Sequence, residues 1–187
     1  MRVIAGKYRG RRLKSPPSDR TRPTSDRLRE TLFNVLAPRV EGARFLDLCA
    51  GTGAVGIEAL SRGAEHVTFV DQSRHMCELI ESNVNALRLD KKEFEIANAG
   101  AAEYLRRHTK KERRPLDIIF FDPPYATDYE VVLDLIGDDT VKVLSKDGIV
   151  IVEHHKKKNL PDAFATLKRY RTLKQGDSSL SFYRAAD

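Results

Sequence analysis

The sequence has few cysteines and no long apolar run, and each absence excludes a class of protein. Cys49 and Cys77 are the only cysteines among 187 residues, too few for a disulfide framework and without metal-ligand spacing. No apolar stretch is long enough to cross a bilayer, and the first residues lack the apolar segment of a signal peptide. We therefore expect a cytoplasmic protein with two buried or half-buried thiols, no metal site and no membrane contact.

Alternating apolar patterns predict an α/β fold. Strands are predicted near residues 44–48, 66–71, 93–97, 116–121 and 148–153, and helices near residues 54–63, 73–88, 99–108 and 127–137. Repeated β-α units imply a mostly parallel sheet with helices on both faces. Extended segments near residues 167–174 and 180–184, on either side of a turn, predict one antiparallel strand.

Residues 1–40 precede the first of these strands and are predicted to form an extension to a domain spanning residues 41–187. Residues 2–13 suggest a short hairpin around Tyr8-Arg9-Gly10. A helix is then predicted to start near Thr24 or Ser25, either of which can act as an N-cap, and to stop before Pro38.

Positive charge is concentrated in this extension. Residues 1–31 contain ten basic and three acidic residues, a balance of +7, so the rest of the chain carries −1 of the net charge of +6. Such a cluster is typical of a contact with a phosphate backbone, although a solvated basic surface is the alternative, and nothing in the charges separates RNA from DNA. The candidate nucleic-acid contacts are Arg9, Arg11, Arg12, Arg22, Arg27 and Arg29.

The turn Asp122-Pro123-Pro124-Tyr125 follows an apolar run at residues 118–121. The prolines keep Pro123 out of a helix, so its carbonyl can face a cleft beside the Asp122 carboxylate. These two acceptors match the two hydrogens of a planar amine and favour the pyramidal nitrogen that attacks in a transition state. The ring of Tyr125 would stack on the heterocycle. A plain proline-rich turn is the alternative.

A glycine loop follows the first predicted strand, with Gly51 and Gly53 ahead of a helix. Glycines let the backbone approach a ligand closely at the helix N-terminus. Asp71 ends the second strand, where an acid can hydrogen-bond the hydroxyls of a ribose. The pattern also fits a dinucleotide fingerprint, so a nicotinamide-dependent oxidoreductase is a rival.

Asp47 argues against that oxidoreductase, because its negative charge before the glycines would repel a pyrophosphate. The same charge suits a ligand that carries an ammonium and a sulfonium. No residue near the loop stands out as a hydride-transfer acid or base. The order of Asp47, the glycine loop, Asp71 and the Asp122 turn is therefore that of a class I S-adenosylmethionine-dependent methyltransferase acting on an amine.

Residues 22–34 resemble the N-terminal signature sequence of bacterial small-subunit ribosomal RNA guanine-N2 methyltransferases. The same family is matched, in the same order, at residues 2–6, 9–13, 47–61, 122–125 and 176–183. The resemblance implies a Rossmann-like fold with a seven-stranded sheet. It also implies methyl transfer from S-adenosylmethionine to the exocyclic amine of one guanine, within an assembling small ribosomal subunit and with no obligate protein partner.

The resemblance also assigns roles by position. The catalytic residues would be Asp122, Pro123, Pro124 and Tyr125, and the cofactor residues Asp47, Gly51, Thr52, Gly53, Asp71, Gln72, Asn98 and Ala99. Asp47 and the loop would hold the methionine end, Asp71 the ribose, and Gln72 would flank the adenine. Asn98 would accept the adenine amine through its carbonyl oxygen, and a plain turn there is equally compatible with the sequence.

Other functions share some of these features. A DNA adenine-N6 or cytosine-N4 methyltransferase uses the same turn, but the chain has little room for a target-recognition insertion. A glutamine-methylating enzyme fits the turn and fits the basic segment less well. A non-catalytic RNA-binding assembly factor would keep the basic segment without the chemistry. His154, His155 and the serines near residue 180 are interpreted as a solvated basic edge and strand polarity.

Overall fold

The computed structural model describes residues 1–16, 25–109, 114–124, 128–138, 140 and 142–186, with backbone alone at 108 and 109. Two predicted site residues, Arg22 and Tyr125, lie outside the described residues. None of the helices in those ranges combines the length and the apolar character that a membrane span requires.

Eight strands form one sheet in the described part of the chain. They are β1 Arg44–Leu48, β2 His66–Asp71, β3 Phe94–Asn98, β4 Leu116–Phe121, β5 Leu144–His155, β6 Ala163–Phe164, β7 Leu167–Gln175 and β8 Ser178–Ala185. Their order is β3-β2-β1-β4-β5-β8-β7-β6. Strands β1 to β5 pair in parallel, whereas β8 runs antiparallel to β5. The predicted Rossmann-like class I fold is confirmed, and the count of seven strands missed β6, whose two residues are too short for a periodic pattern.

Helices cover both faces of this sheet. They are α1 Asp26–Val40, α2 Ala54–Ser61, α3 Arg74–Ala86, α4 Ala101–Thr109 and α5 Tyr129–Gly137. One apolar core contains residues of α1, α2 and α3, and a second core on the opposite face contains residues of α4 and α5. The last four helices lie within two residues of their predicted bounds.

Helix α1 begins as predicted and ends later. Ser25 is its N-cap, and its side chain accepts a hydrogen bond from the Leu28 amide. The prediction that the helix stops before Pro38 is wrong, because α1 continues to Val40 with Pro38 inside it. Pro38 and Asn34 are exposed, so the Asn34 carbonyl that loses its helical donor faces water and the cost is reduced.

Residues 2–13 turn back as the predicted short hairpin, although its pairing is limited to one antiparallel bridge, Arg2 to Arg12, with the Val3 amide donating to the Arg11 carbonyl. The pairing goes no further because the next backbone amides have other partners. The amides of Ile4 and Ala5 donate to the Glu58 carboxylate of α2, at 2.7 and 3.0 Å, instead of to a second strand. The N-terminal loop is therefore fastened to α2 by a buried side chain.

Candidate active site

A cleft of about 790 Å³ opens where β1, β2, β4 and β5 end. Parallel strands end at one edge of a sheet, so residues that are distant in sequence meet there. The predicted site residues that line the cleft are Asp47, Gly51, Thr52, Asp71, Gln72, Ala99, Asp122, Pro123 and Pro124. Gly53 and Asn98 are not among its described lining residues.

The glycines between β1 and α2 shape this cleft in different ways. Gly53 is the N-cap of α2 with φ of 74°, a left-handed conformation that side chains rarely adopt. Its amide donates to the Ala50 carbonyl at 2.8 Å and closes the turn. Gly56 instead allows close packing, since a Cβ there would lie 2.3 Å from the Phe69 ring of β2. The loop and the helix start are thus held against the sheet.

Asp47 lies in β1 with only 2% of its surface exposed. Its Oδ2 accepts a hydrogen bond from the Gly56 amide at 2.9 Å. Burial raises the pKa of Asp47 to about 8, the Gly56 hydrogen bond opposes that rise, and the charge of Asp71 adds to it. A cationic ligand group beside Asp47 would favour the charged carboxylate, because an opposite charge offsets the cost of burial.

Asp71 ends β2 with its carboxylate held by backbone amides. Gly51 donates to Oδ2 at 2.9 Å, and Ser73 donates to Oδ1 at 2.8 Å. Each carboxylate oxygen has two acceptor positions, so one hydrogen bond to each leaves capacity for a ligand. The arrangement suits two neighbouring hydroxyl groups, as a ribose presents.

Asp122 follows β4, and its amide donates to the Leu48 carbonyl of β1 at 3.3 Å. The pKa of Asp122 lies well above its ordinary value, because of burial first and then the charges of Glu153 and Asp47. A carboxyl group with a raised pKa holds a proton more tightly and suits a proton acceptor. The second acceptor at Pro123 and the stacking ring of Tyr125 stay predictions.

Asn98 ends β3 beside the loop that follows β2. Its Nδ2 donates to the backbone carbonyls of Asp71 and Gln72, both at 3.0 Å. Its amide nitrogen therefore braces the loop after β2, while its carbonyl oxygen can still accept a hydrogen bond, so the contact with the adenine amine stays a prediction. Gln72 and Ala99 do line the cleft and stay candidates for the adenine side.

His154 is buried with 6% exposure, so its interpretation as part of a solvated edge is wrong. Its Nδ1 lies 3.1 Å from the His155 carbonyl, and its Nε2 lies 2.9 Å from Ser181 Oγ. Because a carbonyl only accepts, Nδ1 carries the hydrogen and Nε2 accepts from Ser181. The pKa of His154 is lowered, chiefly by burial, and the lowered pKa favours the neutral ring. Ser181 has no exposed surface and cannot act as a nucleophile.

Glu153 is a site residue that the sequence analysis missed. It lines the cleft with 8% exposure, and its Oε1 accepts from Ser178 Oγ at 3.0 Å. A carboxylate at the end of a predicted strand was the available signal. Glu153 reaches the cleft because β5 pairs with β4 and β8, and these pairings cannot be read from the sequence.

The predicted nucleic-acid contacts fall into two groups. Arg9, Arg11, Arg12 and Arg27 are exposed on the surface. Arg29 has no exposed surface, so its assignment as a phosphate contact is wrong. Its Nη2 donates to Asp26 at 2.9 Å and to the Arg2 carbonyl at 2.6 Å. Arg29 also faces the buried Glu58 carboxylate at 3.9 Å, which makes it a structural cation.

Comparison with known proteins extends over almost all of the chain. The Bacillus subtilis protein YlbH is 37% identical over 185 residues, 98% of each chain. Ribosomal RNA small subunit methyltransferase D of Escherichia coli K12 is 34% identical over 185 residues, 98% of this chain and 89% of that protein.

Solved structures agree with these relatives. The match to the structure of Escherichia coli yhhF includes 100% of this chain and 99% of that chain, with 32% identity and a TM-score of 0.85. The match to the structure of Haemophilus influenzae HI0767 includes 100% of this chain and 98% of that chain, with 29% identity and a TM-score of 0.80. A family model described as Conserved hypothetical protein 95 matches residues 1–184. The chain therefore belongs to the Conserved hypothetical protein 95 family, that of ribosomal RNA small subunit methyltransferase D, as the resemblance predicted.

Proposed function

We propose that this protein transfers a methyl group from S-adenosylmethionine to the exocyclic N2 amine of a specific guanine in small-subunit ribosomal RNA. One observation carries the proposal: Asp47 and Asp71, suited to the cofactor, share a single cleft with Asp122 and Pro123, suited to an amine. The relatives named ribosomal RNA small subunit methyltransferase D supply the RNA as substrate class.

The residues of the cleft fit this cofactor in charge and hydrogen bonding. When bound, S-adenosylmethionine supplies an electrophilic methyl group on a sulfonium. Asp47 would pair with its ammonium, since the buried carboxylate gains from an opposite charge. Asp71, fixed by the Gly51 and Ser73 amides, would accept from the ribose hydroxyls. Gln72 and Ala99 would lie beside the adenine.

Asp122 and the Pro123 carbonyl would hold the two hydrogens of the target amine. An exocyclic amine is a poor nucleophile because its lone pair is delocalised into the ring. Two acceptors favour the pyramidal nitrogen, and this interaction is strongest in the transition state. After transfer the nitrogen must lose a proton, and the raised pKa of Asp122 makes that carboxylate a suitable acceptor.

Residues 1–40 would act as the RNA-binding extension of the methyltransferase domain. The exposed cations Arg9, Arg11, Arg12 and Arg27 would contact phosphates, which position the RNA without reading its sequence. The target base must leave its stack to reach Asp122, at a cost on the order of a few kcal/mol. An assembling small subunit in the cytoplasm is the proposed setting, because its loops still offer accessible bases.

Replacing Asp122 tests the proposal directly. Small subunits from cells lacking the gene are incubated with labelled S-adenosylmethionine, and the modified base is mapped. We expect Asp122→Asn to lower kcat at least about 100-fold, because one acceptor becomes a donor, while the cofactor Kd changes little. Asp134→Asn, an exposed change on α5, is the matched control.

Three outcomes would contradict the proposal in different ways. Full activity of Asp122→Asn would remove Asp122 from the chemistry. Failure of the unmodified protein to bind S-adenosylmethionine in a calorimeter would favour a non-catalytic assembly factor. If the methyl group mapped to a base other than guanine, methyl transfer would stand and guanine as the substrate base would be rejected.

A further inference from the structure

Glu153 is a second carboxylate beside Asp122 that the proposed chemistry does not use. Strands β4 and β5 pair in parallel with Phe121 opposite Val152, so Asp122, directly after β4, lies level with Glu153, two residues before the end of β5. Both residues line the cleft. Two neighbouring strands thus place carboxylates at the same level of the sheet edge.

The two carboxylates lie on the same face of the sheet. Side chains alternate along a strand, so Asp122 shares the face of Phe120, and Glu153 shares the face of Ile151. Phe120 and Ile151 belong to the same apolar core, the one that α1, α2 and α3 cover. The charge of Glu153 also contributes to the raised pKa of Asp122, after burial, which fits their closeness.

The Glu153 carboxylate is held in place by β8. Ser178 donates its hydroxyl to Glu153 Oε1 at 3.0 Å. Ser178 and the neighbouring Gln175 also line the cleft, so this part of the wall is polar. With 8% exposure, Glu153 is a mostly buried acceptor, and buried acceptors cost free energy unless donors satisfy them.

Nucleobases differ in the group that stands next to the exocyclic amine. Guanine carries an N1–H donor beside its N2 amine. Adenine carries the N1 acceptor beside its N6 amine, and cytosine carries the N3 acceptor beside its N4 amine. A flipped base is read by hydrogen bonds to this edge. Two adjacent carboxylates therefore match guanine alone among these bases, because the other two would place a lone pair against a carboxylate.

We propose that Glu153 selects guanine by accepting the N1–H hydrogen while Asp122 accepts from the N2 amine of the same base. This inference rests on the proposed function and specifies how its substrate is chosen. It makes Glu153 a specificity-determining residue. It also separates this site from adenine-N6 and cytosine-N4 methylation, which the Asp122 turn alone would accommodate.

The test removes the N1–H donor of the substrate. Small subunits are reconstituted with small-subunit ribosomal RNA in which the mapped target guanosine is replaced by 2-aminopurine ribonucleoside. That base keeps the 2-amino group but has a lone pair at N1 and a hydrogen in place of the O6 carbonyl oxygen. The loss of O6 is common to the unmodified protein and Glu153→Gln, so it cancels when their ratios are compared. We expect kcat/KM of the unmodified protein to fall roughly 10- to 100-fold, because Glu153 loses its donor and meets a lone pair.

The variant Glu153→Gln provides the complementary measurement. Its amide can donate to the N1 lone pair of 2-aminopurine, so the ratio of kcat/KM for guanosine over 2-aminopurine should fall at least about tenfold relative to the unmodified protein. If Glu153 had only a structural role, its replacement would lower kcat/KM equally for both substrates and leave the ratio unchanged. The cofactor Kd of Glu153→Gln should stay within about twofold, which checks the fold of the site.

The outcomes separate the two proposals. Equal kcat/KM of the unmodified protein on guanosine and 2-aminopurine subunits would overturn the role of Glu153 and leave the proposed function standing, even if Glu153→Gln failed to fold. An unchanged ratio in a folded Glu153→Gln variant would overturn it as well. No methylation of guanosine subunits by the unmodified protein would overturn both proposals.

Discussion

We expect the binding of S-adenosylmethionine at pH 7 to release about 0.8 proton, with Asp47 as the main source. A carboxyl group with a pKa of about 8 is about nine-tenths protonated at pH 7. Pairing with the ligand ammonium requires the charged carboxylate, so the proton must leave. Binding should therefore strengthen as the pH rises towards 8.

The ligand's own amine sets the opposite limit. An α-amino group has an ordinary pKa of about 7.7 to 8.0, so it is mostly protonated at pH 7 and mostly neutral at pH 9. The complex keeps one proton, on the ammonium that Asp47 faces. Binding should then release about 0.8 proton at pH 7, none near pH 8, and take up about 0.8 proton at pH 9.

Titration calorimetry in paired buffers of different ionisation enthalpy measures this proton count directly. Asp47→Asn removes the titrating group and keeps its size, so release at pH 7 should disappear and the affinity should fall. Asp134→Asn should retain the release of the unmodified protein. A proton count of zero at pH 7, or the same count in Asp47→Asn, would refute the pairing of Asp47 with the ammonium.

Two further expectations concern the N-terminal region. Replacing Arg9, Arg11 and Arg12 by glutamine should weaken binding to small-subunit ribosomal RNA and reduce the slope of log K against log salt by about 2, and an unchanged slope would reject the contact. Replacing Glu58 by alanine removes the buried carboxylate beside Arg29, leaves Asp26 as its remaining carboxylate, and deprives the Ile4 and Ala5 amides of their acceptor, so the free energy of unfolding in urea should fall by about 3 to 5 kcal/mol. Glu78→Ala, which breaks an exposed pair with Arg74, should cost under about 1 kcal/mol, and equal losses would disprove the buried network.

Local sequence features predicted the fold and half of the site well. The strand ending at Asp47, the glycine loop and the Asp122 turn are determined within short segments, so periodicity and turn chemistry locate them. Parallel topology then brings them to one edge. Asp71 could be identified as a site residue from its position at the end of a predicted strand alone.

The remaining residues depend on neighbours that are distant in sequence. In the sequence Arg29 looks like its exposed neighbours, and its inward position is explained by partners that include the Arg2 carbonyl and the buried Glu58 carboxylate. His154 and Glu153 look like a charged strand end until β8 covers them with Ser181 and Ser178. Asn98 was predicted to use its carbonyl oxygen, and the sequence could not show that its amide nitrogen binds two backbone carbonyls after β2.

The fastening of the N-terminal loop has a consequence for protein engineering. Glu58 and Ser61 of α2 hold residues 4–8, and Asn83 of α3 joins Lys14 to Thr52 in the glycine loop. A chimera that borrows this loop from another family member, to change the strength of the proposed phosphate contact, must import its anchoring side chains too. Otherwise the transplant would loosen the two helices that frame the methyl donor.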